Sequence, residues 1–381
     1  MKIEELYETV RDLRRDLHRI PEISFELPLT SAYVRERLLE YGYEPISVAG
    51  TGWIAVHPGK RQEAVAFRAD MDALEVTEDT GGGFSSLHAG RMHACGHDGH
   101  MALLLGFAKY LKTLGPLEKT VVLVFQPAEE SPGGARIIME TGILQGFHVE
   151  NIYGIHLYPG LPEGILGLAR GPLMARSGEF DILVEGVSSH AGQPQLGTDA
   201  LLAATQIITG IQNIISRYLD PLEPVVVNIG TLHAGEARNI VAGKAFMKGT
   251  IRTFDDGIYL RVKENLGKIC EGVEKISGAK VSLSIRDFYP PVINDPQMVE
   301  NIMAVLPSEA YQILKPLMLS EDFSFYQKEF RGVFMMLGTG NPDRGWTHPL
   351  HSRHFNFDEK VLLRGIEVYS EILQVEKIWC P

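Results

Sequence analysis

Nine consecutive residues, Met92-His93-Ala94-Cys95-Gly96-His97-Asp98-Gly99-His100, carry one thiol, three imidazoles and a carboxylate. Thiolate and imidazole are the soft and borderline donors that hold transition metals, so a segment this dense in them reads as a metal-binding turn. The competing reading is a polar loop with incidental histidines. A second pair decides between them: adjacent Glu129 and Glu130. Two neighbouring carboxylates can divide labour, one held on a metal and one taking a proton from water. A helix N-terminus also favours acids, by about 0.3–1 kcal/mol. That explains one acid before Ser131-Pro132 better than it explains two. Cys95 as a thiolate favours zinc, cobalt or nickel over magnesium, with manganese also admissible. The alternative for Cys95 is a buried structural thiol, and His93, His97 and His100 around it weigh against that.

The elements that must position these groups follow from apolar periodicity. Residues 3–19 and 31–41 have helical spacing. Strands are expected at Trp53–His57, Ala64–Ala69 and Val121–Phe125, and from Ile152 to Ile155, ending at His156. Helices fall at roughly 99–113 and 134–141. Strands alternating with helices and apolar on both faces indicate an α/β sheet covered by helices. Asp70 and Asp72, Glu129 and Glu130, and His156 all sit just past a strand's C-terminal end, the edge where open α/β sheets bind ligands.

Residues 177–288 read differently. Strands at Phe180–Val187, Val225–Leu232, Ala245–Phe254 and Val281–Phe288 alternate with helices at 198–217 and 258–277. That βαββαβ order is the ferredoxin-like pattern. The segment is expected as an inserted α+β module, with residues 1–176 and 289–381 continuing the first sheet. After it come Ser320-Glu321-Asp322-Phe323-Ser324, a strand at Gly332–Leu337, and Leu350–Glu359 before a C-terminal helix. His351, in that last loop, is a reasonable fifth ligand. His18, His57, His148 and His233 cluster with nothing and are expected to be structural or exposed.

Composition excludes several classes. The chain has 381 residues and a formal net charge of −12, which argues against nucleic acid and anionic membrane as partners. It contains no apolar run long enough to span a bilayer, and its acidic amphipathic start is unlike a signal peptide. Cys95, Cys270 and Cys380 are too few and too scattered for a disulfide framework, so a cytoplasmic location is expected.

Arg68-Ala69-Asp70-Met71-Asp72-Ala73-Leu74, Met92–His100, Phe125–Glu130, Gly154-Ile155-His156 and Leu350–Glu359 resemble, in order, the motif series of a metallo-amidohydrolase family. Its members include N-acyl-amino-acid amidohydrolases (aminoacylases), N-acetyldiaminopimelate deacetylases, some carboxypeptidases and plant auxin–amino acid conjugate hydrolases. The resemblance implies a zinc-exopeptidase-like catalytic domain, built on a helix-covered mixed sheet. It places the inserted ferredoxin-like module as a lid and dimerisation domain. It also implies two divalent ions per subunit (zinc, manganese, cobalt or nickel) held by Cys95, His97, Glu130, His156 and His351. Glu129 would be the general base. One of Asp70 and Asp72 would orient a ligand or the base, with Asp70 ranked first. His100 is open between supporting the ligands from behind and a structural polar contact.

In the inserted module, Ser188-Ser189-His190-Ala191-Gly192-Gln193-Pro194 resembles the family's lid motif, in which the histidine reaches the substrate carbonyl oxygen. Val187-Ser188-Ser189 departs from the small and basic residues usual there. Asn239 and Arg252 resemble positions that hold the substrate's free carboxylate, a task suited to the planar guanidinium. The activity implied is hydrolysis of N-acyl amino acids, N-acetyl ones in the first place and N-acetyldiaminopimelate among them, by a homodimer or higher homo-oligomer. A carboxypeptidase or dipeptidase with the same centre is the alternative enzyme. An inactive conjugate-binding protein is the alternative of another class, and the presence of Glu129 with all five ligands speaks against it.

Overall fold

Arg68 aside, Ala64–Asp70 has no side chain that prefers water until its last residue, and Thr120–Gln126 is apolar along most of its length. Both become strands at the centre of the larger sheet, buried on both faces. The computed structural model describes residues 1–379. The last two positions of the segment expected at 289–381, Cys380 among them, lie outside the described residues. The described chain divides into two compact units. One comprises Met1–Leu173, Ile293–Pro316 and Glu321–Pro381; the other comprises Met174–Val292 and Leu317–Ser320. The sequence had placed the insert at 177–288 and had left the Leu317–Ser320 stretch with the catalytic segment.

In chain order, the first unit opens with helices α1 (Tyr7–His18) and α2 (Pro28–Glu40) and strands β1 (Ile46–Val48), β2 (Gly52–His57) and β3 (Ala64–Asp70). Then come α3 (His97–Leu111), β4 (Thr120–Gln126), α4 (Gly134–Glu140), β5 (Val149–Pro162) and β6 (Leu166–Leu168). The second unit contributes β7 (Arg176–Glu185), α5 (Ala200–Asn213), β8 (Val225–Ala234), β9 (Lys244–Thr253), α6 (Asp256–Ser277) and β10 (Lys280–Asp287). The chain returns to the first unit with α7 (Pro296–Val305), β11 (Tyr311–Ile313), β12 (Arg331–Gly340) and α8 (Val361–Val375).

The larger sheet runs β1-β2-β4-β3-β5-β12-β6-β11 and is mixed. Strands β3, β4 and β5 are mutually parallel, so Asp70, Gln126 and the distal half of β5 share one edge. Every residue of α3 except Lys109 is buried, which explains its apolar character on all sides. It packs with α1 and α8 against β3 and β5. The second unit's sheet is antiparallel, in the order β10-β7-β9-β8. Helices α5 and α6 cover it around a core that includes Phe180, Ile207, Met247 and Tyr259. That is the ferredoxin-like arrangement.

Three local expectations need correction. The helix after the Cys/His turn starts at His97 rather than 99, because Gly96 already reverses the chain. The helix expected at 198–217 ends as α-helix at Asn213 and closes in a π turn, Ile214–Tyr218. His156 lies inside β5, not beyond it. Strand β3 stops pairing with β5 at Gly154, but β12 continues alongside, with Met336 opposite His156, and keeps the backbone extended to Pro162.

Candidate metal centre

Gly96 sits between Cys95 and His97 with φ +85°, a conformation that costs a side-chain-bearing residue about 1 kcal/mol or more. The turn it makes places both side chains inside the protein at the start of α3. His97 Nδ1 donates to the Asp72 carbonyl at 2.7 Å. That bond sets the tautomer and leaves Nε2, buried and without a hydrogen-bond partner among the described residues, as the ligand atom. His156 Nδ1 donates to the Leu157 carbonyl at 2.7 Å, and its Nε2 lies 3.4 Å from Cys95 Sγ.

The loop carrying Glu129 and Glu130 is held from three sides. Asp72 accepts the Glu129 N–H on one carboxylate oxygen (2.8 Å) and the Glu130 N–H on the other (3.1 Å). The Ala128 carbonyl accepts the N–H groups of Gly133 and Gly134, at 3.1 and 2.9 Å. Gly134 comes so near Pro127 that a Cβ there would lie 1.9 Å from the Pro127 carbonyl oxygen. Ala128 is left-handed, φ +57°, and so is His351, φ +64°. Non-glycine residues keep that conformation where their surroundings over-determine it. The His351 N–H donates to the Ala94 carbonyl at 2.8 Å, and its Nε2 lies 3.3 Å from Glu130 Oε1.

Cys95, His97 and His156 therefore present donor atoms within 4.8 Å of one another, and so do Cys95, Glu130 and His351. His97, Glu129 and Glu130 form a third such group. All five residues expected as ligands, and the expected base, fall into overlapping groups, with Cys95 common to two. Asp70, His97 and His100 also converge, but there the donor atoms are spent on hydrogen bonds. His100 Nδ1 bonds Asp70 at 2.6 Å, and its Nε2 accepts the Leu157 N–H at 2.9 Å. Both ring nitrogens are used, so His100 anchors β5 beside His156 and is not a ligand. Asp70 and Asp72 consequently have different tasks. Both carboxylates lie 3.7 Å from His97 Nδ1, but Asp70 bonds His100 and Arg68, whereas Asp72 bonds the N–H groups of Glu129 and Glu130. The ranking of Asp70 above Asp72 does not follow from these contacts.

The electrostatics describe a pocket with surplus negative charge. Burial would keep His97 neutral, but Asp70, Asp72 and Glu130 outweigh it and push it up to about 10. Burial and the neighbouring carboxylates push the Cys95 thiol well above its ordinary value, so a thiolate there needs a cation beside it. Burial and His100 hold His156 well below the usual imidazole range, as the neutral ring that a ligand must be. The adjacent acids split. Burial, Glu321 and Glu130 drive Glu129 far up, while His351 and His97 overcome burial and hold Glu130 down. A thiol, three imidazoles and an ionised carboxylate around orphaned buried donors fit divalent ions.

Two features escaped the sequence reading. Arg68 lies inside an all-buried strand and serves four partners: Gln126 through Nε (2.9 Å), Asp70 through Nη1 (2.7 Å), and Glu321 and Asp322 through Nη2 (3.0 and 2.8 Å). A charged residue in an apolar strand must be paired, which was the available signal. Asp98 is bound by Arg14 Nε (3.1 Å) and His18 Nδ1 (2.7 Å), so His18, expected to cluster with nothing, is a buried partner in an ion cluster. His93 belongs to none of the donor groups, and burial drives it down to about 3.

His190, Asn239 and Arg252 belong to the second unit. His190 and Ile240 form an antiparallel bridge, and the Ala191 N–H donates to the Asn239 carbonyl at 3.0 Å, which brings the two loops side by side. His190 is exposed; its Nδ1 accepts the Gly192 N–H at 3.0 Å, so the ring's other nitrogen is the donor in the neutral form. Arg252 lies on β9 between Ser177 and Val226, half-buried, with Nη1 on the Ile251 carbonyl.

The profile of Peptidase family M20/M25/M40 matches residues 66–375. An N-acetyldiaminopimelate deacetylase of Lactobacillus helveticus is 35% identical over 372 residues, covering 95% of this chain and 96% of the relative. Thermostable carboxypeptidase 1 of Saccharolobus solfataricus is also 35% identical, over 375 residues, 95% of this chain and 94% of that one. Among solved structures, the Bacillus subtilis YXEP protein, described as a dinuclear metal binding peptidase from the M20 family, superimposes with a TM-score of 0.84. It is 34% identical, and the match covers 98% of this chain and 99% of that one.

Proposed function

This chain belongs to peptidase family M20/M25/M40 and is a hydrolase of amide bonds, and from that premise we propose that it cleaves N-acyl amino acids, N-acetyl ones foremost, into a carboxylate and a free amino acid. The observation that carries this reading is the pair of donor groups sharing Cys95, with Glu129 beside Glu130 at their edge. Cys95, His97, Glu130, His156 and His351 would hold two divalent ions; zinc, cobalt, nickel and manganese suit a thiolate with imidazoles. Such ions would supply Lewis-acid polarisation of the scissile carbonyl and would lower the pKa of a bound water.

The chain's own residues do the rest. Glu129 takes the water's proton as oxygen attacks the acyl carbon, then delivers it to the departing nitrogen. Asp72 keeps Glu129 and Glu130 in place through their N–H groups. His190 donates from its protonated nitrogen to the substrate's carbonyl oxygen as negative charge develops there, and Arg252 with Asn239 binds the free carboxylate. N-acetyldiaminopimelate is one candidate substrate, suggested by the name of the Lactobacillus relative. The carboxypeptidase of Saccharolobus, equally similar, favours a second reading in which the acyl group is a peptide. Exposed Leu196, Leu201 and Leu202 on the second unit support a homodimer or higher homo-oligomer. A thiolate ligand suits the reducing cytoplasm.

The test is hydrolysis of N-acetyl amino acids, N-acetyldiaminopimelate and dipeptides by metal-stripped protein reloaded with zinc, cobalt, manganese or nickel. Metal-dependent release of amino acids from the N-acetyl series supports the proposal. Turnover confined to dipeptides would replace it with the peptidase reading.

A further inference from the structure

Residues 75–91 form neither helix nor strand, and a reciprocal backbone pair closes the base of this loop. The Leu74 N–H donates to the Met92 carbonyl at 3.1 Å and the Met92 N–H to the Leu74 carbonyl at 3.0 Å. Glu78 ties the two arms of the loop together. Its Oε2 accepts the Ser86 N–H at 2.6 Å, and its Oε1 accepts the Thr80 hydroxyl. The same Oε1 lies 3.4 Å from Nε2 of His18, the buried last residue of α1. The other nitrogen of that ring, Nδ1, lies 2.7 Å from Asp98 Oδ2 in the first turn of α3. Phe84 of the loop meets the His18 ring edge-on, with ring centres 5.4 Å apart, and lies 4.9 Å from the guanidinium carbons of Arg14 and Arg15.

We infer that His18 is a proton-operated clasp: its imidazolium joins Glu78 of the loop to Asp98 of α3, and loss of one proton lets the segment Thr80–Ser86 lift from α1. Each ring nitrogen faces a carboxylate. The imidazolium has an N–H for both, whereas the neutral ring has one. With that proton kept on Nδ1 for Asp98, the lone pair of Nε2 confronts Glu78 Oε1, an opposition that is costly where water is excluded. The loop is the side that can yield. Helices α1 and α3 pack on each other in the core. Thr80–Ser86 contains Gly81-Gly82-Gly83 and spans the gap between two backbone anchors, the Asp79 N–H on the Arg353 carbonyl and the Leu87 N–H on the Arg19 carbonyl, both 2.9 Å. The charged and titratable groups facing the ring are Asp98, Glu78, Arg14 and His93, whose ring centre is 6.4 Å away. Burial and Arg14 oppose the proton, but Asp98 and Glu78 outweigh them and hold His18 above the ordinary imidazole value. Burial also opposes ionisation of Glu78, yet His18, the Ser86 N–H and Thr80 bring it down to about 2, so it is a carboxylate whenever His18 titrates. A ring whose pKa is raised in the docked state gives the loop stability that is complete below the undocked value and is lost as pH rises through the docked one.

The test is hydrogen–deuterium exchange of the holoenzyme, resolved to the Ser86 amide that Glu78 holds and corrected for the intrinsic pH dependence of exchange. It is run from about pH 6 to 9.5 on the wild type, His18→Gln and Glu78→Gln. Corrected exchange in the wild type should rise at least about threefold, along the same curve as the His18 ring titration followed by NMR. In His18→Gln, which carries no proton to lose, the step should vanish and exchange at pH 6 should already match the alkaline wild type. In Glu78→Gln the side-chain amide can donate to a neutral ring, so the step should vanish there as well. A flat or falling profile in the wild type overturns the inference, as does a step that persists in either variant or fails to follow the His18 titration. Should His18→Gln fail to fold, Glu78→Gln, altered in the loop rather than in α1, decides the matter by the same criterion.

Discussion

Replacing Asp72 with Asn separates positioning from chemistry, because the side chain keeps its size and loses one acceptor. Asp72 accepts the Glu129 N–H at 2.8 Å and the Glu130 N–H at 3.1 Å on different oxygens, and its main chain accepts from His97. An asparagine can satisfy one of the two N–H groups; its amide nitrogen confronts the other. The Glu129 contact is buried and the Glu130 contact partly so, and the variant loses a charge-assisted hydrogen bond and strands a donor, a cost of about 1.5–3 kcal/mol. The loop already carries a left-handed Ala128, and it can relieve the conflict by moving. That displaces the base and one ligand together. At roughly 1.4 kcal/mol per decade, the same energy corresponds to about a 10- to 150-fold loss. The assay is kcat/KM at saturating metal, with metal affinity measured by competition with a chelator. Both should fall by that factor. The Asp70→Asn variant, which acts on His100, should lose metal affinity without the same loss of kcat. Unchanged kcat/KM and metal affinity in Asp72→Asn would refute the claim that this carboxylate holds the loop.

Glu129→Gln should abolish turnover, by about a thousandfold or more, while two metals remain bound by elemental analysis; retained activity would remove Glu129 from the mechanism. Gly96→Ala forces a side chain into φ +85° between Cys95 and His97, and thermal unfolding should show a destabilisation of about 1–2 kcal/mol together with weakened metal binding. Asp98 gives a pH-dependent prediction. Burial opposes its ionisation, but Arg14 and His18 outweigh burial and hold its carboxyl far below the ordinary range. A depressed folded-state pKa contributes stability that is present above the unfolded value, about 3.9, and is lost as pH falls through the folded one. Asp98→Asn should therefore be less stable than the wild type at pH 7, with the gap shrinking steadily below about pH 4 in metal-free protein. A gap independent of pH would show that the Arg14–Asp98–His18 contacts carry no net charge stabilisation. Chelation of the holoenzyme should lower Tm in proportion to the logarithm of free metal, since ions bind only the folded centre.

Residue types and spacing determined a good deal unaided. The turn Met92–His100 announced a metal-binding segment, because thiol and imidazole are seldom packed so densely without a cation to share. Apolar runs on alternate segments indicated the parallel heart of the larger sheet, and the βαββαβ order indicated the second unit's four strands, because the 3.6 and 2.0 periodicities are local properties of the chain. What local periodicity cannot carry is who satisfies whom across the fold. That His100 is spent on Asp70 and Leu157, that Asp72 rather than Asp70 touches the Glu129 loop, and that Glu321 meets Arg68 from 253 positions away are all long-range pairings. Each is decided by burial: a polar atom cut off from water must find whatever partner the tertiary packing brings within about 3 Å. His156 makes the same point for the backbone. Its polar side chain marked the end of a strand in the sequence, but β12 beside it supplied the hydrogen bonds that kept the strand going. Donor chemistry is written in residue types, and the allocation of those donors among metal, proton and structural partner is written only in three dimensions.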